Sequence, residues 1–240
     1  MLDACYASDE RVQIPEEIDG HPVAALGPSL LYANDWCRSV AIPNCVTQVE
    51  GNPFVGCPLL TDIRVAPDHP TLEVVDGVLF DKADNRLVCY PCAFTARGYA
   101  VPQGTRIIGA NAFCSLYDGY RDEEADRGLT LGDMTFPWGW LTEVSLPEGL
   151  TAIEEAAFAF CGELRRLYIP ESVQFIGDNA FRDCTALMGI DLPGKNLTLA
   201  EDVFAGCTSL ATVSLQMREI PESAFAGLSA LTSVQFAVSV

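Results

Sequence analysis

Histidine is nearly absent from this 240-residue chain: His21 and His69 are the only two, and each lies beside a proline in turn-like sequence. The chain contains no His-Glu-x-x-His, no Gly-x-Ser-x-Gly, no Gly-x-Gly-x-x-Gly opening a helix and no Walker loop, so the commonest metal, nucleophile and phosphate signatures are missing. We expect no enzymatic activity, no cofactor and no metal. Basic residues are scarce as well: 14 Lys and Arg stand against 33 Asp and Glu, a net charge of −19, which argues against a nucleic-acid or anionic-lipid partner. Long apolar runs are also lacking. None reaches the roughly 18 residues a membrane helix requires, so no membrane insertion is expected. Met1-Leu2-Asp3-Ala4-Cys5 has neither the basic start nor the apolar segment of a signal peptide.

What is present is apolar and periodic. Hydrophobic residues make up 49% of the chain and charged residues 20%, enough for a core and too ordered a mixture for a disordered protein. Copies begin at Leu146-Pro147, Ile169-Pro170 and Leu192-Pro193, and the next at Leu215, each 23 residues after the last. The same landmarks recur at fixed phase: Ile153, Ile176 and Leu199; Phe158, Phe181 and Phe204; Cys161, Cys184 and Cys207; Leu164, Leu187 and Leu210; Leu167, Ile190 and Val213. A period in the twenties with leucine-like residues in phase is the pattern of a solenoid of leucine-rich type. One copy buries too little apolar surface to offset the ordering of its own backbone, so the stacked array is the folding unit.

Within a copy, the alternation Leu164-x-x-Leu167-x-Ile169 predicts a strand with Arg166 and Tyr168 on its outer face. The Gly177-Asp178-Asn179-Ala180-Phe181 type of segment predicts a short helical or 3₁₀ turn on the opposite side. The expected fold is therefore α/β: a right-handed solenoid of about seven coils, with one parallel strand per coil and helical turns opposite it. Ten cysteines suggest a disulfide framework, but Cys57, Cys161, Cys184 and Cys207 share one repeat position. Stacked equivalents with parallel Cβ vectors approach poorly for a bond, so free buried thiols are expected.

Taken in order, residues 1–13 read as an N-terminal cap and 14–65 as coils one and two, with a turn at Asp19-Gly20. Residues 66–98 break the period; Val74 to Phe80 and Arg86 to Tyr90, with turns at Asp76-Gly77 and near Ala83-Asp84-Asn85, predict a β-hairpin insertion that continues the sheet. Coil three spans 99–146 and is interrupted by an acidic and aromatic insertion at 114–140, and coils four to seven fill 146–240. The whole reads as a single domain.

The run Ile-Pro-x-Ser-Val-x-x-Ile-Gly-x-x-Ala-Phe-x-x-Cys-x-x-Leu, nearly whole from Ile169 to Leu187, resembles the BspA-like, or Treponema-type, leucine-rich-repeat proteins. The openings Ile14-Pro15-Glu16-Glu17-Ile18-Asp19-Gly20 and Val75-Asp76-Gly77-Val78-Leu79-Phe80 look like that family too. The resemblance implies a bacterial protein at the cell surface or secreted, a non-catalytic recognition or adhesion role, and an extracellular protein or glycan as partner. A structural spacer in a larger surface protein is the alternative. Because the repeated residues are those that build the core, the resemblance carries the scaffold and not the ligand.

Candidate chemistry is thin. Cys89-Tyr90-Pro91-Cys92 fits a redox or zinc motif, but no second Cys-x-x-Cys follows it and Cys89 falls where a strand wants an apolar residue. The acidic run Asp118 to Asp126 lacks the alternating spacing of a calcium loop, and Asn196-Leu197-Thr198 is a glycosylation sequon. Two surfaces remain. Trp138 and Trp140, two apart around Gly139, form a candidate aromatic platform in the 114–140 insertion. On the sheet face, Tyr168 with Arg166, Asp191 and Glu143 is the densest grouping of anchor-type residues.

Overall fold

The computed structural model describes residues 10–32, 34–114, 140–216, 220–221 and 224–236. Its front wall is built from short strands, one per coil. Arg11–Gln13, Ser39–Ile42 and Asp62–Val65 form one parallel sheet, and Gly98–Ala100, Glu143–Ser145, Arg166–Tyr168, Gly189–Leu192, Thr212–Leu215 and Ser233–Phe236 form a second. The pairing register follows the sequence period: Arg166 lies opposite Gly189, Gly189 opposite Thr212, and Thr212 opposite Ser233. Alternation then decides which side chains are buried. Val144, Leu167, Ile190 and Val213 point into the core while Arg166, Tyr168 and Asp191 face out.

A back sheet closes the coils. Ile107–Ile108, Ala152–Ile153, Phe175–Ile176 and Thr198–Leu199 pair in parallel, and they continue an antiparallel meander of Leu72–Val75, Val78–Asp81 and Arg86–Cys89. Both meander turns fall where the sequence places them, with left-handed backbone at Asp76 and Gly77 (φ 50° and 81°) and at Asn85 (φ 57°). Glu17–Ile18 and His21–Pro22 likewise pair antiparallel across Asp19-Gly20. The segment 66–98 forms the expected hairpin and continues the sheet: Arg86–Cys89 takes the back-strand place of a coil and pairs with Ile107–Ile108, so the segment also serves as a turn of the array. Counting it gives about eight turns rather than seven.

The expected helical turns are not there. Among the described residues there is no helix, so the molecule is a parallel β-solenoid and not α/β. The physical reason lies in the backbone of the turn segment. Left-handed residues recur four apart, at Ala156 and Phe160, at Asn179 and Asp183, and at Asp202 and Gly206 (φ 51° to 75°), and each breaks a helical run. The N–H groups so redirected reach the next coil instead: Ala156 donates to the Asp178 carbonyl (2.9 Å), Phe158 to Ala180 (2.8 Å) and Phe160 to Arg182 (2.7 Å). A helix would have consumed those donors within its own segment.

Inside, the repeat columns are continuous. Phe113, Phe158, Phe181, Phe204 and Phe225 stack with ring centroids 4.8, 5.4, 5.6 and 5.9 Å apart, and Tyr90 extends the column onto Phe113 at 5.1 Å. The cysteine column is reduced among the described residues, as expected. It also does something the sequence does not announce: each thiol donates to the carbonyl of the aromatic-column residue one coil back, Cys57 to Leu31 (3.1 Å), Cys161 to Phe113 (3.2 Å), Cys184 to Phe158 (3.1 Å) and Cys207 to Phe181 (3.0 Å). A small apolar side chain with a weak donor suits that place.

Candidate functional site

Because the core consumes the repeated residues, the outward positions of the front strands are the ones free to vary. Three coils of this wall form a shallow depression of about 430 Å³ lined by Arg165, Arg166, Tyr168, Met188, Asp191 and Thr212 with the strand backbone beneath. Its floor is Gly189. In the outward row that runs Glu143, Arg166, Gly189, Thr212, this position carries no side chain, and the Thr212 hydroxyl leans over it, 2.6 Å from where a Cβ would stand, so the wall dips between Arg166 and Thr212. In the adjacent row Tyr168 and Asp191 stand side by side and form one border, with Ser214 next in register beyond them. Tyr168 is 58% exposed and Met188 50%, both large apolar side chains open to solvent.

The electrostatics of the front wall differ along its length. Near the N-terminal end charges are locally paired: Arg64 bonds Asp62, Ser39 Oγ donates to Asp62 Oδ2 (3.1 Å), and Arg38 lies 3.7 Å from Glu10. The Arg64 hydrogen bond holds the Asp62 carboxyl below its ordinary range. At the depression, Arg165, Arg166, Asp191 and Glu143 form no ion pair within 4 Å among the described residues.

Of the residues singled out by sequence, the depression brings together Arg166, Tyr168 and Asp191. Glu143 is the register neighbour of Arg166 but is not part of the lining, and Trp140, 37% exposed, stands apart from it. Trp138, like the acidic run Asp118 to Asp126, lies outside the described residues. Sequence reasoning missed Gly189 as a floor, and Arg165 and Met188, which precede their strands and line the hole from its edge. The signal was available in one respect: a glycine at an outward strand position is a missing side chain.

The thiol and histidine groups sit in surroundings that quiet them. Burial pushes Cys37 and Cys92 up to about 11 and raises Cys57 and Cys89 as well, which keeps these thiols protonated. Among the described residues no three His, Cys, Asp or Glu side chains are grouped to hold a metal. His69 is buried, with Nδ1 accepting from the Leu72 N–H (3.0 Å) and Nε2 3.2 Å from the Pro43 carbonyl, so both ring nitrogens have structural partners. No helix among the described residues is long and apolar enough to cross a membrane.

Coils of about 23 residues, each adding one strand to a parallel front sheet and one column position to a buried Phe, Cys and Leu core, define a leucine-rich-repeat solenoid. Solved bacterial proteins share this fold. A leucine-rich repeat protein from Eubacterium ventriosum superposes with a TM-score of 0.71 at 20% identity, over 94% of this chain and 54% of that one. A leucine rich cell surface protein from Faecalibacterium prausnitzii gives 0.73 at 24%, over 95% and 60%, and the pneumococcal vaccine antigen PcpA gives 0.71 at 22%, over 91% and 49%. The chain thus spans about half the length of these proteins. No curated protein matches the sequence. The sequence pattern of the BspA type leucine rich repeat region matches residues 130–240 in six copies.

Proposed function

We propose that the protein is a non-catalytic recognition scaffold that works at the bacterial cell surface or outside the cell and presents its front wall to a protein or glycan. The observation that carries this reading is the depression over Gly189: exposed Tyr168 and Met188 beside charged groups that have no ion partner among the described residues, on a wall whose inner face is committed to the core. Exposed Tyr and Arg are the residue types that most often anchor an interface. The cell-surface assignment draws on the family and on the description of the Faecalibacterium prausnitzii protein as a cell surface protein. The test is a binding screen of the chain against a glycan array and extracellular-matrix proteins, repeated with Tyr168→Ala. Binding that weakens in the variant supports the reading. Silence against every probe leaves a spacer, and turnover of a substrate panel that Cys or His substitution abolishes would defeat the non-catalytic claim.

A further inference from the structure

Resting on the recognition role above, we propose that the depression over Gly189 is a subsite for a carboxylate-bearing sugar residue at the end of a glycan. Size is the first consideration. At about 430 Å³ the depression sits at the small end of the roughly 300–1,000 Å³ typical of small-ligand sites. It fits a compact ring rather than a protein surface.

The second consideration is what the floor can offer. The backbone groups of Arg166–Tyr168, Gly189–Leu192 and Thr212–Leu215 are committed to the parallel ladder. An extended peptide therefore has no free main-chain groups to pair with on this face, and strand addition, the usual way a sheet holds a peptide, is closed to it there. Recognition has to come from side chains. Those present are an exposed phenol ring at Tyr168, a thioether at Met188, a hydroxyl at Thr212, a carboxylate at Asp191 and two guanidinium groups at Arg165 and Arg166. A ring with an apolar CH face and a rim of hydroxyls matches that set: the face lies on the phenol while Asp191 and Thr212 take the hydroxyls.

Charge selects among sugars. In a chain with only 14 basic residues and a net charge of −19, two consecutive arginines line one small hole, and neither has an ion partner among the described residues. Of the nine other described basic residues, four are spent on nearby carboxylates: Arg38 on Glu10, Arg64 on Asp62, Arg86 on Asp84 and Glu154, Arg182 on Asp183. Two guanidinium groups against the single lining carboxylate of Asp191 leave the hole with an excess positive charge. Guanidinium binds carboxylate through paired, charge-assisted hydrogen bonds, so a uronic or sialic acid unit supplies both the ring and the missing anion.

The experiment is calorimetric titration of the full chain with matched pairs: oligogalacturonate against its methyl ester, and sialyllactose against lactose, with polyglutamate as the peptide probe. At least one carboxylated member should bind about tenfold or more tighter than its neutral partner. Tyr168→Ala and Arg166→Gln should each weaken that binding about tenfold while leaving the melting temperature unchanged, since both side chains are exposed. Raising the salt concentration should weaken the acidic ligand and not the neutral one. Equal binding of both members of each pair, no binding of any carboxylated sugar, or binding indifferent to both substitutions overturns the proposal. Binding of polyglutamate alone, lost in Arg166→Gln, also overturns it in favour of an acidic peptide, but leaves the front wall as a recognition surface. A chain that binds nothing in the wider screen removes that surface as well.

Discussion

A phenyl ring in the middle of this molecule has a ring above it and a ring below it. Phe181 lies between Phe158 and Phe204 at 5.4 and 5.6 Å, with interplanar angles of 8° and 7°, and none of the three touches solvent appreciably. Removing such a ring leaves a cavity that its neighbours, held by the ladder, cannot collapse into. Phe181→Ala should therefore cost about 3–5 kcal/mol in denaturant unfolding, whereas Asp191→Ala, exposed on the front wall, should change stability by less than about 0.5 kcal/mol. Equal losses would mean the two side chains do not face opposite ways. His69 makes a pH-dependent prediction at the same scale. Burial lowers its pKa against the opposing pull of the Pro43 carbonyl at Nε2, and the Leu72 N–H donated to Nδ1 requires the neutral ring. The unfolded chain takes up that proton near pH 6.5 and the folded chain does so only lower, so this contribution is whole above about pH 6.5 and declines as pH falls below it. Between about pH 7.5 and 5.5 the wild type should lose more melting temperature than His69→Gln loses over the same interval.

At the scale of an element, the turn segment shows how close the coils lie. Gly177 ends the back strand Phe175–Ile176, and a Cβ built there meets the Glu155 amide nitrogen at 2.6 Å and the Glu154 carbonyl carbon at 2.8 Å. Those are backbone atoms and cannot swing away. Gly177→Ala should cost about 1–3 kcal/mol and slow no other property, and the loss should appear as a lower urea midpoint with the slope unchanged. The same element explains a mistaken expectation. Polar residues followed by Ala-Phe look like a helical turn, yet the hydrogen bonds of this segment run to the next coil, a choice visible only when the next coil is in place. By contrast, Asp19-Gly20 and Asp76-Gly77 were legible at once, because a left-handed pair of that composition has one local solution.

Among the described residues the two large hydrophobic cores are separated by the meander 72–89, and a third, small cluster holds Val55, Cys114 and Ala159. Leu72, Leu79, Val88 and Cys89 pack with the N-terminal coils, while Val78, Phe80, Leu87 and Tyr90 pack with the C-terminal ones. Strand alternation produces the division, and the irregular register between Leu87 and Cys89 puts Val88 and Cys89 on the same side. Two adjacent substitutions should then loosen opposite halves. By hydrogen exchange, Leu79→Ala should speed exchange chiefly in Ser39–Ile42 and Asp62–Val65, and Phe80→Ala chiefly in Glu143–Ser145 and Arg166–Tyr168; identical patterns would mean the array opens as one unit. By itself the sequence determined the period, the identity of every buried column from Phe158 to Leu210, the reduced cysteines and the hairpin turns, because each of these is specified by residues near one another or repeated at a fixed interval. Only the tertiary structure decided that the broken segment 66–98 is a turn of the solenoid, that the far side is strung with left-handed residues rather than helical, and that Arg165, Tyr168, Met188 and Asp191 surround one hole. Those features belong to no single coil: each arises where neighbouring turns meet, and the register between turns is set by the packing of the entire stack.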